Sequence, residues 1–262
     1  MDEAGSAAGS TPDSVTGSVT GSITGSITGS ATGPVADASH LPAPAASDVC
    51  GEQASWRSPA SWARLAGVFA GGIAVDLWSK YWAFGNVAGY PVELTREKVL
   101  EDPSFALPHH PRVEALPWDL LDFRLVLNYG AVFGIGQHRR ELFIVFTALA
   151  TTAAVLLFAR GTRARMRSAH VAIGLILAGG LGNLYDRMVY GAVRDFLHML
   201  PGWELPNGWM WPGNSTTDVF PWVFNVADVL LLAGMALFVI TSFAEDRRAR
   251  LLATAAAGRP TA

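Results

Sequence analysis

Apolar residues in this chain are concentrated in four long runs, which are separated by polar or glycine- and proline-rich segments. About 20 consecutive apolar residues are enough to cross the hydrocarbon core of a membrane as a helix. The runs therefore predict membrane-spanning helices at about residues 63–84, 141–159, 169–186 and 219–243. Half of all residues are hydrophobic and the mean hydropathy is +0.28, so we expect an all-α membrane protein with four transmembrane helices.

The first 55 residues contain no such run. Ser14 to Gly33 repeats a Ser-x-Thr-Gly unit, and a segment rich in proline and alanine follows. A segment of this composition buries too little apolar surface to offset its ordering entropy. The pattern predicts a disordered tail at 1–55, a membrane domain at 56–246 and a basic tail at 247–262. Because Met1-Asp2-Glu3 is not basic and no apolar run follows it, we expect no cleaved signal peptide.

Two clusters of arginine predict the orientation in the membrane. Four arginines lie between residues 160 and 167, and three more lie at 247–250, after the fourth run. Loops rich in arginine or lysine tend to face the cytoplasm. With four crossings, both chain ends then lie in the cytoplasm, and the segments 86–140 and 187–218 lie outside.

The outer segments contain one predicted strand and many tryptophans. Phe123 to Leu127 alternates between apolar and polar residues, as in a short strand, and leads into a glycine-containing stretch at Asn128–Gly134. The simplest interpretation of this stretch is a strand-to-turn junction. The segment 197–218 is rich in tryptophan, proline and glycine. Since tryptophan prefers the membrane–water interface, we expect this segment to lie along the headgroups.

Small residues indicate where the helices approach one another. Gly174, Ala178 and Gly182 are spaced four residues apart and form a stripe along the third predicted span. Gly67 and Gly71 form a similar pair on the first predicted span. Both patterns predict close contacts between helices, because small side chains let two backbones come together.

Polar residues occur at a few positions in or beside the apolar runs. Asp76 and Lys80 are four residues apart on the first predicted span, so they share a face and predict an ion pair. Lys80 could also extend to the headgroups. Ionisable groups at such depths are costly, and we interpret the remaining ones as functional. These are Asp186, Arg187, Asp195 and Asp228, at the outer ends of the third and fourth predicted spans, and the polar residues Asn183 and Asn225 lie beside them.

The chemistry that these residues favour is acid–base catalysis by two carboxylates. Two carboxylates held close together cannot both ionise easily, so one keeps a proton and the pair can activate water, as in aspartic proteases. Other catalytic patterns fit poorly: His109 and His110 are adjacent rather than spaced as zinc ligands, and Cys50 lies in the predicted tail. The net charge of −3 and the lack of a basic stripe argue against a nucleic-acid partner.

Spacing alone leaves open which two aspartates form the pair. Asp186 and Asp195 would lie on roughly opposite faces of an unbroken helix, but Gly191 can break that helix. Asp228 alone stands apart, because its neighbours in sequence carry no counter-ion. Two other functions stay open at this point. A proton-coupled transporter or channel would spread its acidic residues through the membrane, and a binding scaffold without catalysis would lack one aspartate of the pair.

Five short motifs, in order along the chain, resemble those of the lipoprotein signal peptidases (signal peptidase II). The resemblance covers about residues 61–243 and implies a four-helix membrane aspartic endopeptidase of bacteria with a small extracytoplasmic β-cradle. Such an enzyme cleaves signal peptides from diacylglyceryl-modified prolipoproteins, before the lipidated cysteine. The motifs are Asp76-x-x-x-Lys80, Asn128-x-Gly130-Ala131-Val132-Phe133, Gly182-Asn183-Leu184-x-Asp186-Arg187, Val193-x-Asp195-Phe196 and Phe224-Asn225-x-Ala227-Asp228.

The resemblance also implies roles for individual residues. It makes Asp195 and Asp228 the catalytic pair and Asp76 and Lys80 a structural ion pair. The residues that it implies for substrate binding or for shaping the site are Asn128, Gly130, Asn183, Asp186, Arg187 and Asn225. It implies no metal and no cofactor. The expected partners are prolipoprotein substrates, membrane lipid and globomycin-type inhibitors, and we expect a monomer.

The resemblance places the chain in the bacterial cytoplasmic (inner) membrane as a multi-pass protein whose active site faces the outer side. Three features depart from the pattern of the family. Leu77 stands where glutamine often follows the first-span aspartate, the loops 86–127 and 197–224 are long, and the repeat-containing tail is additional. None of these changes affects the catalytic pair that the resemblance implies.

Overall fold

A computed structural model of the chain describes residues 53–102, 105–130, 140–212 and 216–257. The predicted tail lies almost entirely outside these residues, as do Cys50 and the motif residues Ala131, Val132 and Phe133.

The described residues form five α-helices and four β-strands. The helices are α1 (Pro59–Asn86), α2 (Arg96–Glu101), α3 (Arg140–Leu156), α4 (Arg167–Val189) and α5 (Val226–Ala257). A wider helical turn at Leu157–Gly161 extends α3. The strands are β1 (Val113–Leu116), β2 (Leu121–Asn128), β3 (Val193–Met199) and β4 (Val223–Phe224).

Three helices in the described part of the chain are long and apolar enough to cross a membrane. These segments are Glu141–Gly161, Arg167–Val189 and Val226–Leu251. The first predicted span lies within α1, which is of sufficient length, but Asp76 and Lys80 lower its hydropathy and it is not among the three. The structure is therefore a mostly helical membrane protein with three candidate spans.

The fourth predicted span begins later than the sequence pattern indicated. Its helix, α5, begins at Val226, so the predicted start at residue 219 is wrong. Pro221 disfavours a helical conformation in the residue before it, and Asn225 is a residue type that favours the position just before a helix. The residues before Val226 therefore remain extended and include β4.

Helix α4 is the centre of the helical part. Half of its apolar window is buried within the protein, compared with 11% for α5 and 6% for the segment containing α3. A side chain at Gly174 would crowd Val68 and the carbonyl of Leu65, and one at Gly182 would overlap the Asp76 carboxylate, so this stripe faces α1 as predicted. Its third member, Ala178, is fully buried.

The predicted contact through Gly67 and Gly71 is wrong. Both residues are exposed, and no described residue lies within 4 Å of where their Cβ atoms would be. The close approach uses Gly72, where a Cβ would lie 2.7 Å from the Cβ of Ala178. The GxxxG spacing alone did not show which face of α1 meets α4.

The four strands form one antiparallel sheet in the order β1-β2-β3-β4. The predicted strand at Phe123–Leu127 is confirmed within β2, whereas β3 and β4 were not predicted. Between α4 and β3 the chain turns at Gly191, which has a φ of +88° and would place a Cβ 2.7 Å from Leu100 Cγ. Only glycine fits this turn. The turn ends α4 and places Asp195 on a strand.

A buried apolar cluster joins the sheet to the end of α1. It consists of Ala83, Phe84, Val87, Leu125 and Phe196. Since Phe196 faces this cluster, its neighbour Asp195 points to the opposite face of the sheet. The packing of the sheet on α1 therefore determines the direction in which Asp195 points.

Candidate active site

Asp195 lies in the middle of the sheet and is held by two amide side chains. Its position on β3 is opposite Val126 of β2, and only 1% of its surface is exposed. Asn128 donates a hydrogen bond from Nδ2 to Oδ2 of Asp195 over 3.0 Å, and Asn225 donates from Nδ2 to Oδ1 over 2.6 Å. Both carboxylate oxygens therefore have a donor.

Asp228 lies in the first turn of α5 and forms a reciprocal cap with Asn225. The backbone N–H of Asn225 donates to Asp228 Oδ2 (3.0 Å), and the backbone N–H of Asp228 donates to Asn225 Oδ1 (3.3 Å). Exchanges of this kind begin helices by satisfying amide groups that have no partner within the helix. Asn183 of α4 adds a third bond, from Nδ2 to Asp228 Oδ1 over 2.8 Å. The cap and Asn183 together fix the orientation of the carboxylate.

Asn225 links the two carboxylates. Its side-chain amide donates to Asp195, and its backbone N–H donates to Asp228. Asp195 and Asp228 (the aspartate pair) line the same cavity, which has a volume of about 1000 Å³. We refer to this space as the active-site cavity.

The electrostatic environment favours a proton on Asp195. Burial raises the pKa of Asp195 to about 7, and the nearby charge of Asp228 acts in the same direction. The amide hydrogen bonds from Asn225 and Asn128 lower the pKa, but burial outweighs them. A carboxyl group that keeps its proton near neutral pH can act as a general acid.

Lys80 is connected to Asp228 of the aspartate pair through Asn183. Its Nζ donates to Asp76 Oδ2 and to Asn183 Oδ1, each over 2.9 Å. The predicted ion pair between Asp76 and Lys80 is thus confirmed, and both side chains are fully buried, so Lys80 does not extend to the surface. Because Lys80 holds the oxygen of the Asn183 amide, the nitrogen of that amide points to Asp228.

Asp76 has a second contact, which ties α1 to α5. Its Oδ1 accepts a hydrogen bond from the backbone N–H of Ala227, next to Asp228, over 2.9 Å. The Asp76 carboxylate therefore stabilises the same helical turn that carries Asp228.

The third aspartate, Asp186, contacts Arg194 and Lys80 rather than the aspartate pair. It accepts bonds from the Arg194 side chain, the shorter being 2.8 Å, and from the Arg194 backbone N–H over 3.0 Å. Lys80 Nζ lies 3.4 Å from Asp186 Oδ2, the oxygen that accepts the Arg194 backbone N–H. Asp186 is fully buried and does not line the active-site cavity. Its partner in the structure is Arg194 rather than the adjacent Arg187.

Arg187 and Asn128 hold the turn that follows β2. Arg187 Nη2 donates to the carbonyl of Gly130 over 2.7 Å, and Nη1 donates to the carbonyl of Asn183 over 3.3 Å. The backbone N–H of Gly130 donates to Asn128 Oδ1 over 2.9 Å. With its oxygen engaged in this way, the Asn128 amide presents its nitrogen to Asp195. Arg187 and Asn128 thus both contact the backbone of Gly130.

The walls of the active-site cavity are mainly apolar. The lining includes Val229, Leu232 and Met235 of α5 together with Phe220 and Trp222, which precede that helix. The cavity can therefore take an apolar segment whose end meets the aspartate pair. In the described part of the chain, no three histidine, cysteine, aspartate or glutamate side chains are placed to hold a metal ion.

Sequence reasoning missed three partners at the site. The bond from Lys80 to Asn183 and the pairing of Arg194 with Asp186 depend on how α4 packs on α1 and how β3 begins. Arg124 lines the active-site cavity, and nothing in the sequence marked it. The position of Arg194 next to Asp195 in the sequence was a signal that it belongs to the site. That position did not show that its side chain points to Asp186.

Two linked carboxylates beside an apolar cavity, in a protein with candidate spans, define a membrane aspartic peptidase. The family model for signal peptidase (SPase) II matches residues 68–244. The chain therefore belongs to the signal peptidase II family, and it is a lipoprotein signal peptidase. Among its relatives is the lipoprotein signal peptidase of Anaeromyxobacter sp. (strain Fw109-5), which is 31% identical over 198 residues, covering 71% of this chain and 88% of the relative.

Two further similarities were found. The lipoprotein signal peptidase of Methylobacterium radiotolerans is 36% identical over 136 residues, which cover 50% of this chain and 71% of the relative. A solved structure described as a bacterial membrane enzyme aligns with a TM-score of 0.48 and 22% identity, over 76% of this chain and 93% of that one.

Proposed function

We propose that this lipoprotein signal peptidase cuts before the diacylglyceryl-modified cysteine with Asp195 and Asp228 as its catalytic pair. The observation that carries the proposal is the bridge through Asn225, which holds one carboxylate by its side chain and the other by its backbone. Asp186 is a weaker candidate, because Arg194 and Lys80 occupy its oxygens and it is outside the active-site cavity.

The reaction begins with one proton on the pair. Asp195 holds it below a pH of about 7, and Asp228 accepts N–H donors in its ionised form. Ionised Asp228 takes a proton from water as the water oxygen attacks the scissile carbonyl, and Asp195 gives its proton to the carbonyl oxygen. Asp228 then protonates the cysteine nitrogen as the C–N bond breaks, and Asp195 recovers a proton from the diol. The products are a carboxylic acid and a free amine, and the pair regains its starting state.

The amides of Asn128 and Asn225 have a site-shaping role in this proposal. An alternative is that they bind backbone groups of the substrate after its helix unwinds. Both amide nitrogens donate to Asp195, however, and both amide oxygens accept backbone N–H groups within the protein. These contacts favour a role for the two side chains in supporting the carboxylate.

The proposed topology has four crossings, with α1 as the additional one. Its 28 residues exceed the length needed to span a membrane, and the charges of Asp76 and Lys80 within it are buried against each other. Both chain ends then lie in the cytoplasm, and the aspartate pair meets the outer interface, where an apolar signal segment and water are both present. We expect a monomer that is inhibited by globomycin-type compounds.

Cleavage of a diacylglyceryl-modified prolipoprotein by the purified enzyme tests the proposal. Asp195→Asn and Asp228→Asn are each expected to reduce kcat by at least about a thousandfold, because neither variant can complete the proton transfers. Asp246→Asn is the matched control, since that aspartate is exposed and pairs with Arg250 far from the cavity. Thermal unfolding in detergent checks that each variant is folded.

Each outcome has a defined meaning. Loss of cleavage in both variants, with the control active and the wild type inhibited by globomycin, supports the pair. Full activity in Asp195→Asn together with loss in Asp186→Asn would assign the partner of Asp228 to Asp186 and overturn the proposal.

A further inference from the structure

Arg124 is an exposed cation that lines the active-site cavity. We propose that Arg124 determines specificity by binding an acidic side chain of the substrate, about three to five residues after the cleaved bond. The inference rests on the proposed function, because it requires the aspartate pair to mark the point of cleavage.

Arg124 is the only arginine or lysine that lines the active-site cavity within the described residues. The other arginines of the sheet region are occupied: Arg112 pairs with Asp119 and Asp122, and Arg194 pairs with Asp186. Arg124 is exposed and has no ion pair or side-chain hydrogen bond in the part of the chain that the structure describes. An unpaired guanidinium at the rim of a substrate cavity is available to an anion.

The position of Arg124 along β2 gives the distance from the reacting bond. Arg124 precedes Asn128 by four residues, and a strand rises about 3.3 Å per residue. Because the pairing of β2 with β3 is irregular between Phe123 and Val126, the two residues are separated by at most roughly 13 Å along the strand. Asn128 contacts Asp195 directly. A substrate that runs extended beside β2 would place about its fourth residue from the aspartate pair near Arg124.

The walls of the cavity indicate which side of the substrate reaches Arg124. Leu232 and Met235 lie deeper along α5, which continues into the candidate span, and they suit the apolar signal segment. In the sheet, Val126 lies opposite Asp195; Arg124 precedes Val126 on β2 and Met199 ends β3, so both lie toward the same end of this strand pair. We therefore assign the residues that follow the lipidated cysteine to the side of the cavity that holds Arg124.

An aspartate or glutamate is the chemical partner that this position favours. A guanidinium binds a carboxylate through two parallel hydrogen bonds, which makes arginine suited to an acidic side chain. The phosphate of an anionic lipid headgroup offers similar chemistry from a different source. We assign the site to the substrate, because Arg124 shares its cavity with both catalytic carboxylates.

The test compares matched lipidated substrates that carry aspartate, asparagine or lysine at the third to fifth position after the cleaved bond. Wild type, Arg124→Gln and Arg124→Glu are assayed in non-ionic detergent, with and without added anionic lipid, and Lys98→Gln is the control for loss of an exposed cation outside the cavity. The wild type is expected to favour aspartate over asparagine by about twofold to fivefold in kcat/KM, mainly through KM. Arg124→Gln should lose this preference and Arg124→Glu should favour lysine, while Lys98→Gln retains the wild-type order.

The outcomes separate this inference from the proposed function. If the wild type cleaves no substrate, the proposed function fails and this inference fails with it. If the wild type cleaves all three substrates equally well, only the inference is overturned. It is also overturned if Arg124→Gln weakens cleavage of every substrate equally and only when anionic lipid is present, because that result assigns Arg124 to headgroups.

Discussion

At the scale of single residues, the proposed mechanism depends on the protonation of Asp195. The pKa of Asp195 is raised to about 7, first by burial and then by Asp228. The pair works with one proton, so raising the pH through about 7 removes the proton that Asp195 must donate. We therefore expect kcat to fall on the alkaline side with an apparent midpoint near pH 7, a value that belongs to the pair as a whole.

Asn128 gives a specific test of this explanation. Its amide stabilises the charged form of Asp195 and so lowers the pKa of Asp195. In Asn128→Ala the pKa should rise further, and the alkaline midpoint of kcat should move to higher pH. Asn86→Ala is the control, because the Asn86 amide donates to the Trp82 carbonyl at the end of α1, and its profile should match wild type. A midpoint that moves to lower pH in Asn128→Ala would contradict the explanation.

The residue types at the site could be recognised in the sequence, but the contacts among them could not. Asp228 stood out because a carboxylate beside an apolar run is costly. The choice of Asp195 over Asp186 came from resemblance to a family, since the residues alone left it open. The structure separates the two by geometry: Arg194 turns toward Asp186, and the direction of that side chain depends on the turn at Gly191.

At the scale of elements, the long apolar helices were predictable and the sheet was only partly so. The strand β2 alternates apolar and polar residues, whereas β3 is buried along most of its length and shows no such alternation. Strand β4 has only two residues. A buried strand and a two-residue strand carry little signal by themselves, because their pairing partners lie far away in sequence.

Packing between α4 and α1 gives a prediction for this scale. A Cβ at Gly182 would overlap the Asp76 carboxylate, whereas a Cβ at Gly180, on the same helix, would lie 3.9 Å from Thr147. Gly182→Ala should therefore destabilise the protein by about 1–3 kcal/mol and reduce cleavage, because it displaces the carboxylate that holds α5. Gly180→Ala is the matched control and should retain activity. Equal unfolding temperatures and equal activities for the two variants would disprove this account of the packing.

At the scale of the whole molecule, a buried network of charges and amides joins three helices to the reaction. Lys80 of α1 contacts Asn183 of α4, which contacts Asp228 of α5. Asp76 also reaches the first turn of α5, through the Ala227 N–H. The network thus connects the assembly of the helices with the orientation of a catalytic carboxylate, and stability and activity should be separable by changing its charge.

The last prediction separates these two roles of Lys80. Lys80→Met leaves Asp76 buried without its cation, which should destabilise the protein by about 3–5 kcal/mol. The double variant Asp76→Asn with Lys80→Met removes both charges, while Asp186 keeps Arg194, so we expect much of the unfolding temperature to return.

Cleavage should remain low in the double variant, because Asn183 has lost the donor that orients its amide toward Asp228. Thermal unfolding and kcat, measured on the same preparations, check both parts. If activity returned together with stability, the contribution of Lys80 would be to balance the charge of Asp76. The orientation of Asn183 would then have to come from Asn225, whose amide donates to Asn183 Oδ1 over 3.1 Å.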